Sequence, residues 1–246
     1  MKFLNDKAFT LIELVLIIVI VGIIATIAMR SMQPAIDQSR IDATLQEMER
    51  LAEAIVGDKN LVSDGMRSDF GYVGDIGALP PNLDALVTNP GGFSTWNGPY
   101  ILNNFVENPN DFKEDAWGDL YTYSGGVVIT SAGNGSPINK QFAGNVNDLL
   151  SNTVNGNIYD GLGAPPGDSA SGVDIVIYFP DGSGGITANT LNPSSSGEFT
   201  FSNSIPIGNH LLRAIYVSAG DTTSEYLTVL PGRDVFCELR FSNSYW

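Results

Sequence analysis

The 246-residue chain carries 12 basic against 27 acidic side chains, a formal charge of −15, and 43% of its residues are hydrophobic. That apolar content suffices for one large or two modest packed domains and excludes a disordered chain, while the acidic excess repels phosphate backbones and excludes nucleic acid as a default partner. A lone Cys237 excludes an intramolecular disulfide, so the loops must be held by packing, hydrogen bonds or a bound cation.

Residues 1–8 are short and polar, with Lys2, Asp6 and Lys7, and the run FTLIELVLIIVIVGIIATIAM from Phe9 to Met29 is apolar almost throughout. Its 21 residues match the length of about 20 that a membrane-spanning helix needs. The positive charges ahead of it favour a cytoplasmic N-terminus, leaving the bulk of the chain outside. A secretory signal cut near Ala25-Thr26-Ile27-Ala28 is the rival reading. Against it stands Glu13, because an ionisable group in lipid costs about 2.5 kcal/mol or more and marks a pairing partner. After Met29, Ile41, Leu45, Met48, Ala52 and Ile55 recur at helical spacing among charged residues. One helix is predicted over Phe9 to Val56, bent near Gly22 or Pro34 and stopped by Gly57, roughly 70 Å long.

The short basic leader followed by F-T-L-I-E-L at Phe9–Leu14 resembles the precursors of type IV pilins and pseudopilins. The resemblance implies cleavage by a prepilin peptidase between Ala8 and Phe9, N-methylation of Phe9, and pairing of Glu13 with a neighbouring subunit's N-terminal amine during filament assembly. Pairing in a dry filament core neutralises both groups, whereas a misregistered subunit leaves both uncompensated, so Glu13 would act as a register device. Ala8 stands where the family has glycine, and as the smallest substitute it implies slower or still adequate processing. Removing the leader takes away two lysines and one aspartate and moves the charge from −15 to −16.

From Gly71 the segments GYVGDIGALPPNLDALV, TWNGPYI, DAWGDLYTY and VVITSAGNG follow in order. They resemble the head of the major pseudopilin of type II secretion. Leu79, Pro80, Leu83, Leu86, Trp96, Gly98, Pro99, Tyr100, Asp115, Trp117, Gly118, Tyr121, Tyr123, Ser131 and Gly133 take the matching positions. Independently of that resemblance, Pro80-Pro81 opens a short helix with Leu83 and Leu86 on one side, and Leu120 to Tyr123 alternates as a strand. In the family the following loop binds calcium. The resemblance therefore makes Asn134, Asn147 and Asp148 the candidate ligands, with Asn145 nearby, and one carboxylate beside Lys140 implies a weak site.

Beyond a boundary near Leu150 to Thr153, strands are predicted at Val154–Tyr159, Val173–Phe179, Glu198–Phe201, Leu211–Val217, Tyr226–Leu230 and Val235–Phe241. A run of about seven short strands with turns at Asp181-Gly182 and Ser196-Gly197 reads as a β-sandwich. The segments VDIVIYFPDG and SGEFTFSNSIPIGNHLLRAIY resemble the transthyretin-like or carboxypeptidase-regulatory sandwich, whose members serve accessory binding or spacing. Cys237 alternates with Val235, Leu239 and Phe241 and is expected to be buried; His210 is expected in a turn ahead of a strand.

The fold class expected is thus α+β: a leader over 1–8, a helix over 9–56 with its membrane span at 9–29 packed on a small antiparallel sheet in a head over 57–150, then an all-β sandwich over 153–246. One His and one Cys in different surroundings supply no nucleophile with a positioned base, and no Walker A spacing is present, so no enzymatic activity is expected. A structural subunit of a secretion pseudopilus is the leading reading. It implies a homo-oligomeric filament, other pseudopilins or minor pilins, prepilin peptidase, and an inner-membrane assembly platform with a separate ATPase. A surface pilin or adhesin using the sandwich to bind a ligand is the first alternative, and an uncleaved membrane-anchored binding protein or hydrolase the second.

Overall fold

A computed structural model describes residues 10–102 and 108–246. Helix α1 (Leu11–Val56) is unbroken through Pro34 and begins after Thr10, whose extended backbone and side chain form the N-cap. Its two halves meet different surroundings. The large apolar side chains from Leu11 to Ile36 are exposed, whereas Thr44, Met48, Leu51, Ala52, Ala54 and Ile55 are buried against the rest of the molecule. The helix stops at Gly57, where φ is +84° and a Cβ would lie 2.3 Å from the Asp69 carbonyl oxygen, so only glycine fits. No basic residue lies in the last turn. Arg67 supplies the cation instead, its guanidinium donating to the carbonyls of Val56 (2.6 Å) and Gly57 (2.9 Å) that the helix leaves unpaired.

The head around this helix is built from short pieces. A hairpin of β1 (Val62–Ser63) and β2 (Met66–Arg67) leads to α2 (Gly71–Ile76), a 3-10 turn at Leu83–Leu86, and a second hairpin of β3 (Val128–Ser131) and β4 (Ile138–Gln141). The predicted strand at Leu120–Tyr123 is reduced to single bridges, Glu114 with Leu120 and Thr122 with Thr130. Its backbone groups are divided between two segments, since Tyr121 N–H donates to Lys113 O while Thr122 exchanges both of its bonds with Thr130, so no continuous ladder forms. Asn82 caps the 3-10 turn by accepting from Ala85 N–H, and Leu83 and Leu86 face inward as their spacing predicts. These pieces share one apolar core with Met48, Leu51 and Ile55 of α1, including Tyr72, Val73, Ile76, Leu86, Ile129 and Leu149.

Helix α3 (Val146–Leu150) passes through Ser151 directly into β5 (Asn152–Tyr159). The remaining strands are β6 (Val173–Pro180), β7 (Ile186–Leu191), β8 (Glu198–Ile205), β9 (Gly208–Tyr216), β10 (Asp221–Val229) and β11 (Val235–Arg240). They form a four-stranded antiparallel sheet ordered β10-β9-β6-β7 and a three-stranded sheet ordered β11-β5-β8, in which β11 runs parallel to β5. Alternate residues of both sheets enter one core, among them Val154, Ile158, Ile175, Ile177, Phe199, Phe201, Leu212, Leu227 and Leu239, which makes the pair a sandwich. The chain is accordingly α+β with a strand-rich C-terminal part.

Three details depart from the sequence expectation. Strand β7 has no apolar alternation to announce it, because most of its positions are exposed. Strand β10 begins at Asp221, five residues before the predicted start, since its polar first half pairs with Tyr216 to Leu212 of β9. His210 lies inside β9 and is buried, not in a turn; its Nε2 lies 2.8 Å from the Pro206 carbonyl oxygen, and burial lowers its pKa despite that bond. Cys237 faces the sandwich core, where burial pushes its thiol up to about 12 and leaves it unreactive.

The two apolar cores are joined by the turns at one end of the sandwich. Ile207, between β8 and β9, is fully buried in the head core and its N–H donates to Leu149 O at 2.8 Å. Gly232 N–H donates to Asp148 O (2.9 Å), Gly182 N–H to Ile76 O (2.8 Å) and Ser94 N–H to Gly184 O (2.9 Å). The approach at Gly77 is so close that a Cβ there would meet Pro180 O at 2.3 Å.

Candidate assembly site

The residues expected to act in assembly cluster at the start of α1. Ala8 and Phe9, the expected cleavage and methylation positions, lie outside the described residues. Glu13 is placed on the first turn, where its Oε2 accepts from Thr10 N–H (2.9 Å) and from the Thr10 hydroxyl (2.8 Å), while Glu13 N–H donates to Thr10 Oγ1 (3.3 Å). This is a capping box: helix N-termini carry unpaired N–H groups, and an N-cap threonine with an N3 glutamate satisfies two of them reciprocally. The spacing Thr10-Leu11-Ile12-Glu13 announces it in the sequence. The cap leaves Glu13 exposed at the first turn of the helix, its carboxylate directed at Thr10.

Around Glu13 the helix is apolar and uncovered. Leu11 to Met32 expose large aliphatic side chains in every direction, with Leu11 83% and Ile12 76% exposed. A helix hydrophobic all round belongs in lipid or in a core supplied by other chains. It is the helix among the described residues that is long and apolar enough to cross a membrane.

At the other end of α1, polar contacts fix the head on the helix. Buried Asp115 accepts from Trp117 N–H (2.9 Å), Asp119 N–H (3.0 Å) and the Ser131 hydroxyl (2.5 Å), and Ser131 Oγ accepts from Gly133 N–H. Burial alone would raise its pKa, but these hydrogen bonds outweigh it and hold the carboxyl below the usual range. Next to it Thr44 Oγ1 accepts from Ala116 N–H (3.2 Å), Tyr121 donates its hydroxyl to Glu47 (2.8 Å), and Lys140 pairs with Glu49. The sequence motif that holds Asp115, Trp117, Gly118, Ser131 and Gly133 is therefore a hydrogen-bonded knot set against the amphipathic half of α1.

The expected calcium ligands separate. Asn134 lies in the turn between β3 and β4, while Asn147 and Asp148 lie on α3 and border an open cavity with Asp234 that Asn134 does not line. Both carboxylate oxygens of Asp148 already accept from Asn145, one from its backbone N–H (3.0 Å) and one from its amide (2.9 Å), in a second capping box. Calcium takes six to eight oxygens, and among the described residues no three His, Cys, Asp or Glu side chains converge. This donor set does not fit calcium. Replacing Asp148 with alanine is expected to cost about 1 kcal/mol, the value of a helix cap, and to lower the melting temperature equally in excess calcium and in EDTA. Thermal melts in the two buffers check it.

Residues 4–29 match the family model described as the prokaryotic N-terminal methylation motif. The start of the chain is type IV pilin-like. Over 119 residues, 48% of this chain, it is 28% identical to the type II secretion system core protein G of Xanthomonas campestris pv. campestris, covering 68% of that protein. No solved structure matches the chain. Together with this motif, an apolar α1 long enough to cross a membrane fits a membrane-anchored protein whose globular part lies outside.

Proposed function

We propose that the chain is a structural subunit of a type IV pilus-like filament, and specifically of a type II secretion pseudopilus that supports protein secretion. The observation that carries the reading is the uncovered apolar half of α1 with Glu13 at its first turn, below a head fixed only to the other half. In a filament the apolar halves of neighbouring subunits would bury one another, and Glu13 would exchange its bond to Thr10 for a neighbour's methylated Phe9 amine. That exchange pairs two charges that would otherwise stand uncompensated in an apolar core. Prepilin peptidase, other pseudopilins or minor pilins, and a membrane platform with its own ATPase are the partners this role requires, the last because the sequence holds no Walker A spacing.

The sandwich favours a second reading, a surface pilin or adhesin. Its loops enter the head core, so a filament built from this chain would display the sandwich rigidly on its outside.

Peptide mass spectrometry of protein from membranes and from sheared filaments tests the processing on which both readings depend. The expected N-terminus is a methylated Phe9 in both fractions. An intact Met1 would remove the filament reading and leave an uncleaved membrane-anchored protein.

A further inference from the structure

Where the sandwich docks on the head, the junction leaves an open cleft of about 470 Å³. Its floor is the outer face of the four-stranded sheet, where Tyr178 of β6, Leu211 of β9 and Tyr226 of β10 lie directly across from one another. Their neighbours Ile177, Leu212 and Leu227 point the opposite way into the sandwich core, so the three form one solvent-facing row. Tyr226 is 68% exposed although it sits within a nine-residue strand. The two tyrosines stand two strand spacings apart, roughly 9.5 Å. The wall is supplied by the head: the Asp75 carboxylate, which accepts from the Tyr100 hydroxyl (2.7 Å), and the exposed Asn97 beside Trp96.

The chemistry of this cleft is selective. No lysine or arginine lines the cleft itself; at its border the Arg213 guanidinium stands over the Tyr178 ring, 5.8 Å from its centroid, while the Asp75 carboxylate in the wall disfavours phosphorylated and carboxylated ligands and burial lowers the pKa of His210. Tyr178 and Tyr226 project from one sheet face with Leu211 between them, an arrangement closer to a platform than to the enclosing cage that takes a quaternary ammonium. A platform of aromatic and aliphatic side chains matches the C–H faces of flat, neutral rings, and an adjoining carboxylate and amide match hydroxyl groups that both donate and accept. The volume falls in the range of small-molecule sites, about 300–1,000 Å³.

We propose that this cleft binds a neutral oligosaccharide, its rings packing along the row from exposed Tyr226 over Leu211 to Tyr178 and its hydroxyls bonding to Asp75 and Asn97. The site exists only in the docked arrangement, since floor and wall come from opposite sides of the junction. It is independent of how the N-terminus is processed.

The test is isothermal titration of the full chain, held in lauryldimethylamine oxide micelles to avoid glycosidic detergents, with cellohexaose, xylohexaose, chitohexaose and maltohexaose. Trp96 fluorescence gives a second readout at the cleft wall. Saturable binding of at least one of these is expected, weakened about tenfold or more in Tyr226→Ala and in Asn97→Ala, with the wild-type melting temperature retained because both side chains are exposed. No binding of any of them overturns the proposal. So does binding that is indifferent to Tyr226→Ala. Self-association that Tyr226→Ala abolishes, in the absence of sugar binding, also overturns it and assigns the face to a second copy of the chain.

Discussion

Ile207→Ala is expected to destabilise the globular part by about 3 kcal/mol, with the head and the sandwich lost in one transition. Ile207 belongs by sequence to the turn between β8 and β9, yet its side chain is fully buried among head residues. Truncating a buried isoleucine removes its transfer free energy and leaves a cavity, a cost of about 2–5 kcal/mol. The site cannot collapse easily, because backbone bonds from Ile207 to Leu149 and from Gly232 to Asp148 hold the surrounding turns in place. Urea unfolding checks this. Trp96 and Trp117 lie in the head, and Trp246 stacks with Tyr216 and Phe241 at the far end of the sandwich, so their fluorescence together with far-ultraviolet dichroism follows both parts. Coincident curves at a lower midpoint are the expected result, and loss of the sandwich signal ahead of the head would show that the junction carries little coupling. Ile186→Ala, at an exposed position, should shift the midpoint by no more than about 0.5 kcal/mol.

Asp115→Ala is expected to cost about 3 kcal/mol and to change how stability depends on pH. The carboxylate is buried and receives two backbone N–H groups and the Ser131 hydroxyl, so its removal leaves several donors without their partner. Its pKa in the folded protein is held below the unfolded value near 3.9 because these bonds outweigh the effect of burial. A group with a depressed pKa gives its stabilisation in full above the unfolded value, and that stabilisation is lost as pH falls through the folded one. Wild type should therefore lose stability below about pH 4, and the alanine variant should lose less over the same interval. Urea midpoints measured between neutral and acid pH compare the two slopes. Equal slopes would mean that other carboxylates govern the acid limb.

The sequence alone determined whatever depends on neighbours along the chain. The 21-residue apolar run, the stripe from Ile41 to Ile55 and the stop at Gly57 specify α1, because helix length, periodicity and termination are local properties. The capping boxes at Thr10–Glu13 and Asn145–Asp148 are local too, and their three-residue spacing was present to be read. Alternation placed most of the sandwich strands and turned Cys237 inward. It missed β7 and the first half of β10, where polar residues are tolerated because those positions face solvent. The tertiary structure decided what depends on residues distant in sequence. Arg67 ends a helix it does not belong to, and Asp148 spends its carboxylate on Asn145 while its carbonyl receives Gly232 from the other end of the chain. His210 is enclosed by a strand pairing that its turn-like neighbours Gly208 and Asn209 conceal. Ile207 carries no sign in its own segment of which core it will enter, because burial is a property of the surface it meets, and that surface is brought to it only when the sandwich packs on the head.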